Sequence, residues 1–199
     1  MRWIALFVFL VPTSWAYDDG FYVGAEGGIA NNDDFVRAND DGSLSMIDDD
    51  DIDSSYRAFV GYQFAPHAAV ELGYSDHGEM SFTAESDGSG VSWVAGDVGT
   101  RFESEGFSAS IVGFLPLGVR WSIVGSLGIF AWETTETYTE TGFISSEEQS
   151  GEDLVFGIGF EADLGREGAW TLRGGTEITE VNDSSNSVQS IRVGAARRF

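Results

Sequence analysis

The residues that close this chain alternate strictly. Ile191, Val193, Ala195 and Phe199 fall on one side of a two-residue period, with Arg192, Gly194, Ala196 and Arg198 on the other. Successive side chains of a β-strand point to opposite faces, so one face of this strand is apolar and the other polar. An apolar face on a final strand needs a cover from outside it. Lipid is the expected cover.

The other end of the chain fixes the compartment. Arg2, the apolar run Trp3–Val11 and the small residues Ser14 and Ala16 make the basic start, apolar core and cleavage site of a secretory signal peptide. Residues 1–16 are therefore expected to be removed and the mature, single-domain chain to begin at Tyr17. The run is shorter than the roughly 20 residues a membrane helix needs. Charges or glycines interrupt every later apolar run. In a membrane this chain has to be a closed barrel, the one alternative to a helix that satisfies its backbone in lipid. The absence of cysteine excludes disulfides and thiolate sites. A formal charge of −23, with every basic residue an arginine, excludes a nucleic-acid partner, whose phosphates it could not neutralise.

Eight stretches alternate as strands: Phe21–Ala30, Ser55–Phe64, Ala68–Met80, Gly106–Phe114, Val119–Thr134, Asp153–Leu164, Ala169–Glu180 and Val188–Phe199. Most reach the roughly 9–11 residues of a tilted membrane strand. Short turns at Ala65–His67, Leu115–Gly118 and Gly165–Gly168 alternate with long connections at Asn31–Ser54, Ser81–Glu105 and Thr135–Glu152. Short periplasmic turns opposite long external loops are the pattern of outer-membrane barrels. The expected fold is all-β, an eight-stranded antiparallel up-and-down transmembrane β-barrel.

The faces fix which side meets lipid. One set, including Val23, Val60, Leu72, Ile129, Ile158, Leu172 and Val193, holds almost no charge. The opposite set carries Glu26, Arg57, Glu71, Arg120, Glu161, Asp163, Arg173, Glu177, Arg192 and Arg198, five acids against five arginines. A soluble ligand-binding barrel would show the reverse. Side chains fill the interior of an eight-stranded barrel, and charges withdrawn from water need partners. An interior ion-pair network of Glu26, Glu71 and Glu177 with Arg57, Arg173 and Arg192 is expected. The fourth strand leaves its faces open, with Phe107, Ala109 and Ile111 competing with Val112 and Phe114. Phe64, Trp121, Trp170 and Phe199 are expected at the periplasmic rim, and Tyr56 and Trp132 at the external one.

Several segments resemble the OmpA-like outer-membrane β-barrel family. They are Phe21-Tyr22-Val23-Gly24, Tyr56–Phe64, Ala69–Tyr74, Val112–Gly118 and the closing Arg192–Phe199. The resemblance spans essentially the whole mature chain. It implies an ion-paired eight-stranded barrel in the bacterial outer membrane and no enzymatic activity. It also implies recognition by the barrel-assembly machinery through Phe199, although Arg197 stands where family members usually carry an aromatic. Without a peptidoglycan-binding module, the chain is similar to the barrel-only members.

The external loops are strongly acidic, with Arg37 and Arg101 alone in opposition. Their carboxylates would take divalent cations and bridge to lipopolysaccharide phosphates, or form a solvated, repulsive surface. Asp49, Asp51 and Asp53 are weak metal candidates, because the segment lacks the glycine and terminal glutamate of a calcium loop. Ser75, His77 and Glu79 share a face near the outer mouth, a set that acyl transfer could use. Residues two apart on one strand lie about 7 Å from each other, too far for a direct relay. Gly157–Ala162 matches a dinucleotide fingerprint only on paper, since no helix follows it. Thr134–Thr141 alternates threonine with glutamate and tyrosine, so this hairpin extends past the membrane. It is an exposed polar hairpin or a strand edge for a partner. No cofactor is expected. A narrow channel for ions or small solutes is the alternative to a structural or surface-interaction role, and a lipid A-modifying enzyme is a third reading.

Overall fold

A computed structural model describes residues 20–32, 41–164, 169–181 and 186–199. The expected signal peptide and the expected Gly165–Gly168 turn lie outside the described residues. The strands are β1 Gly20–Asn31, β2 Leu44–Asp50, β3 Ile52–Ala65, β4 Ala68–Ser86, β5 Gly96–Pro116, β6 Trp121–Glu140, β7 Phe143–Leu164, β8 Trp170–Val181 and β9 Asn186–Arg198. Neighbours run antiparallel, and β1 pairs with both β3 and β9, which closes the ring. No helix among the described residues is long and apolar enough to cross a membrane.

Nine strands make an eight-stave barrel because β2 and β3 share one stave. Both pair antiparallel with β4, β3 through Tyr56↔Asp76 and β2 through Asp50↔Ser81. The stave breaks at Asp51, opposite a bulge between Asp76 and Glu79. Gly78 sits in that bulge at φ 76°, a left-handed conformation that favours glycine.

The expected faces are observed on the outside of the ring. Val60, Leu72, Ile129, Ile158, Leu172 and Val193 are all exposed outward, Leu72 by 62%. The ambiguity of the fourth expected strand resolves cleanly. Ser108, Ser110, Val112 and Phe114 are buried in the lumen, while Phe107, Ala109 and Ile111 face out. Two expectations are corrected. Trp132 is not in the external belt: it shares the inward parity of Phe130 and is 6% exposed, with its indole N–H given to Asp153 at 2.8 Å. Arg120 lies exposed in the turn between β5 and β6 rather than in the lumen.

Glycines opposite interior aromatics let the narrow ring close. Tyr22 pairs with Gly61 and Phe59 with Gly24, and a Cβ at either glycine would fall inside the facing ring. Gly151 makes the same room for Trp132. The aromatic fills the space that the missing side chain leaves, as tight packing requires.

The staves are of unequal height. Towards the exterior β1 ends at Asn31 and β8 at Val181, and β9 begins at Asn186. The expected loops Ser81–Glu105 and Thr135–Glu152 are instead mostly strand, so β4, β5, β6 and β7 continue outward with β2 beside β4. Hydrophobic alternation fades in these extensions, which is why their outward ends read as loops. Replacing Gly61 by valine should displace Tyr22 and cost about 1–3 kcal/mol. That would appear as a lower urea midpoint in micelles. Gly118→Val, where nothing lies within 4 Å, should leave the midpoint unchanged.

Candidate functional site

The lumen is filled in two layers. In the lower layer the register sets opposite charges side by side, with Glu26 across from Arg57 and Glu161 across from Arg173. From these pairs grows a single ladder in which the sign alternates at every step. Glu177 meets Arg192, which approaches Glu26 at 4.0 Å. Glu26 lies 3.6 Å from Arg57, and Arg57 lies 3.1 Å from Glu71. Glu71 takes Arg173 at 2.5 Å, Arg173 reaches Glu161 at 2.9 Å, and Glu161 ends the ladder on Arg198. All six residues expected in the network are in it. Glu161 and Arg198 extend it, and the ladder carries four charges of each sign.

Glu71 is its pivot. One carboxylate accepts from both Arg57 and Arg173, and also from the Tyr22 hydroxyl at 2.8 Å. Aromatic faces cover the guanidiniums: Phe59 lies 5.0 Å from both Arg57 and Arg173, and Tyr22 and Phe114 flank Arg173. Such contacts satisfy a cation where water is excluded. Beside the ladder is a cavity of about 50 Å³, lined in part by Glu26, Glu71, Arg173 and Glu177. It has room for a water or two.

Above the ladder the chemistry changes. Arg192 donates to the Ser55 hydroxyl at 3.0 Å. His77, fully buried, sets Nδ1 3.2 Å from the Ser190 hydroxyl and its ring edge-on to Phe130. Beyond it is an apolar layer that includes Met80, Phe82, Phe102, Phe130, Trp132 and Val188. Trp93, from the connection after β4, completes it against Phe82 and Tyr138. This second layer was missed in the sequence. Its signal is there in Phe130 and Trp132, two apolar residues on the polar parity of their strand.

Carboxylates hold that connection down. Asp41 accepts from the Ser43 hydroxyl at 2.6 Å, and from the backbone N–H groups of Ser43, Val91 and Ser92. Glu140 accepts from Val94 N–H at 2.7 Å. Trp93 is thus clasped from two sides. The Ser43 hydroxyl bond, followed by the Ser92 N–H bond, lowers the Asp41 pKa from 3.8 to about 2.

The remaining expected sites fare differently. Ser75, His77 and Glu79 do not share a face, because the Gly78 bulge turns Glu79 outward to an exposed pair with Arg101 at 3.1 Å. Asp53 is occupied by the N–H groups of Ser54 and Glu79, and the Asp49 side chain lies outside the described residues. Among the described residues no group of three or more acids, histidines or cysteines could hold a metal ion. Phe199 donates its N–H to the Phe21 carbonyl at 3.0 Å. Arg197 lies over both the Phe199 and Trp170 rings, at 5.1 and 5.7 Å.

Removing the pivot should be costly. Glu71→Ala leaves two buried guanidiniums short of a partner and should destabilise the barrel by about 3–5 kcal/mol, measured by reversible urea unfolding in micelles. The clasp has its own pH dependence. A carboxylate whose pKa is lowered by folding contributes stability above its unfolded value and loses it as pH falls through the folded one. The amides of Val91 and Ser92 should stay protected from exchange from neutral pH to about pH 4, and lose protection as pH nears 2. Asp41→Asn should expose them at neutral pH.

The sequence from residue 16 to 199 matches the family model of the OmpA-like transmembrane domain. No curated protein matches the chain. Solved structures share its fold at low identity. Ail of Yersinia pestis, solved with the heparin analogue sucrose octasulfate, is 15% identical with a TM-score of 0.51, over 90% of this chain and 99% of Ail. Neisserial surface protein A is 17% identical with a TM-score of 0.54, over 90% and 97%. The N-terminal barrel of Pseudomonas aeruginosa OprF is 10% identical with a TM-score of 0.54, over 92% and 100%. With its closed antiparallel ring, apolar outer band and ion-paired interior, the chain belongs to the OmpA-like transmembrane domain family and is a barrel of the bacterial outer membrane.

Proposed function

We propose that this protein is a closed, non-catalytic membrane anchor that displays an acidic sheet at the cell surface. The observation that carries this reading is that the lumen is obstructed twice in series, by the salt-bridge ladder and by the apolar layer above it. A solute would have to part both. Five strands meanwhile continue past the ends of β1, β8 and β9, which puts much of the ordered chain where only surface partners can use it. Catalysis finds no support in the lumen, since His77 is sealed from solvent and Glu79 faces away from it.

The surface chemistry narrows the partners. Glu105 lies directly across from Glu133, above the outward rings of Tyr74 and Phe107. Carboxylates at that height meet lipopolysaccharide phosphates favourably only with divalent cations between them. A negative surface also disfavours anionic glycans and favours cationic partners. Phe199, outward at the rim with Arg197 across its face, is the residue offered to the barrel-assembly machinery.

A narrow channel is the second reading, favoured by the cavity beside the ladder. Planar-bilayer recordings separate the two. The wild-type barrel should be silent, and so should Glu177→Gln and Arg173→Met, because the apolar layer remains in place. Steady single-channel steps from the wild type, or steps that appear on neutralising Glu177, would establish the channel.

A further inference from the structure

Among the described residues, the external sheet ends on two edges, β2 and the longer β7. Residues Phe143–Leu154 of β7 pair with β6 on one side, and the first rung to β8 comes at Val155↔Thr179. Among the described residues, no strand pairs with the other side of Phe143–Glu152. An unpaired edge of this length is a template for another strand. Edges that must stay alone are blunted by charged side chains, proline or a bulge. Phe143–Leu154 holds no proline, and its register with β6 is unbroken from Phe143 to Ala162, so its guard is its carboxylates, which repel an acidic strand and attract a basic one.

Charge and side-chain pattern say what fits. The hairpin from Glu133 to Asp153 carries seven acids and no basic residue. Glu147 already stands across from Glu136, a like-charge pair that a cationic neighbour would relieve. At the tip, Phe143 and Ile144 are 81% and 74% exposed, so the edge joins an apolar end to an acidic shaft. A second copy of this chain is a poor occupant, since Glu147 and Glu148 would meet their own counterparts. The segment stands outward of the Tyr74 and Phe107 rings, so the occupant comes from the aqueous side.

We propose that the β7 edge is a strand-addition site for an extended basic segment of another protein, with lysine or arginine alternating with apolar residues. Main-chain hydrogen bonds would supply the docking, the carboxylates the selectivity, and Phe143 and Ile144 an apolar anchor at one end. The inference rests on the reading that the external sheet, rather than the lumen, is the working part of the protein.

The test uses the intact barrel in nanodiscs of zwitterionic lipid and a Lys-Val alternating decapeptide as probe. Its controls are the same peptide N-methylated at alternate residues, which keeps the charge but cannot add as a strand, and a Glu-Val decapeptide. Amide exchange read residue by residue should slow by about tenfold or more at alternate positions of Phe143–Leu154 with the Lys-Val peptide alone. E147Q/E148Q should weaken its binding several-fold and leave the heat-shifted electrophoretic band of the folded barrel unchanged. Equal binding by the N-methylated peptide would reduce the site to charge attraction and overturn the proposal. So would binding that leaves these amides unprotected, or no binding at all. A conducting barrel with a protected edge would sink the closed-anchor reading and leave this site standing. A silent barrel with an unprotected edge would do the reverse.

Discussion

Eight charged side chains withdrawn into a narrow lumen would unfold most small proteins. They are tolerated here because the sign alternates at every step from Glu177 to Arg198. Each interior charge of the ladder has opposite charges on both sides, and Glu71 adds a tyrosine hydroxyl as third donor. Truncating one member of a buried pair strands the other, so the ladder stands or falls as a unit. The glycines depend on the same arrangement. Gly61 makes room for Tyr22, and Tyr22 completes the shell of Glu71. A contact on the barrel wall is thereby tied to the electrostatics of its axis.

The external half is built on a different principle. Apolar side chains turn inward above the ladder, and Trp93 drops onto them from a connection clasped by Asp41 and Glu140. This portion has a core of the kind a soluble domain has, while the membrane portion keeps its charges inside and its apolar residues out. The parity of β5, β6 and β7 carries through the change while β4 shifts by one at its bulge, and the chemistry assigned to each face inverts. Leu154 faces out near the membrane and Val155 faces in, while beyond them Glu148 and Ser150 take the outward positions.

How much was legible in the sequence follows from that inversion. In the membrane portion, period-two hydrophobicity and charge sort the faces, so the ring, its lipid side and all six network residues can be read directly. Above it the apolar parity switches and both faces contain polar residues. Thr134–Thr141 still reads as an extended hairpin, but the outward ends of β4 and β5 look like loop. Trp132 has the residue type of an interfacial belt, but its even position, shared with Phe130, places it inside. The Gly78 bulge undid the Ser75, His77 and Glu79 face, because one left-handed residue shifts everything after it by one position. Arg120 departs from its expected place for a simpler reason: it lies in a turn, where alternation has no meaning.

Unequal staves give the molecule a front and a back. With β1, β8 and β9 ended and β4 to β7 still rising, the projecting strands among the described residues form a curved screen rather than a closed tube. A barrel in a fluid membrane is free to spin about the membrane normal, so the β7 side of the screen sweeps every compass direction. A contact on that side would be made parallel to the cell surface and would halt the rotation. Such geometry makes the exposed strand edge accessible from the side, through the water above the membrane, rather than from the barrel axis.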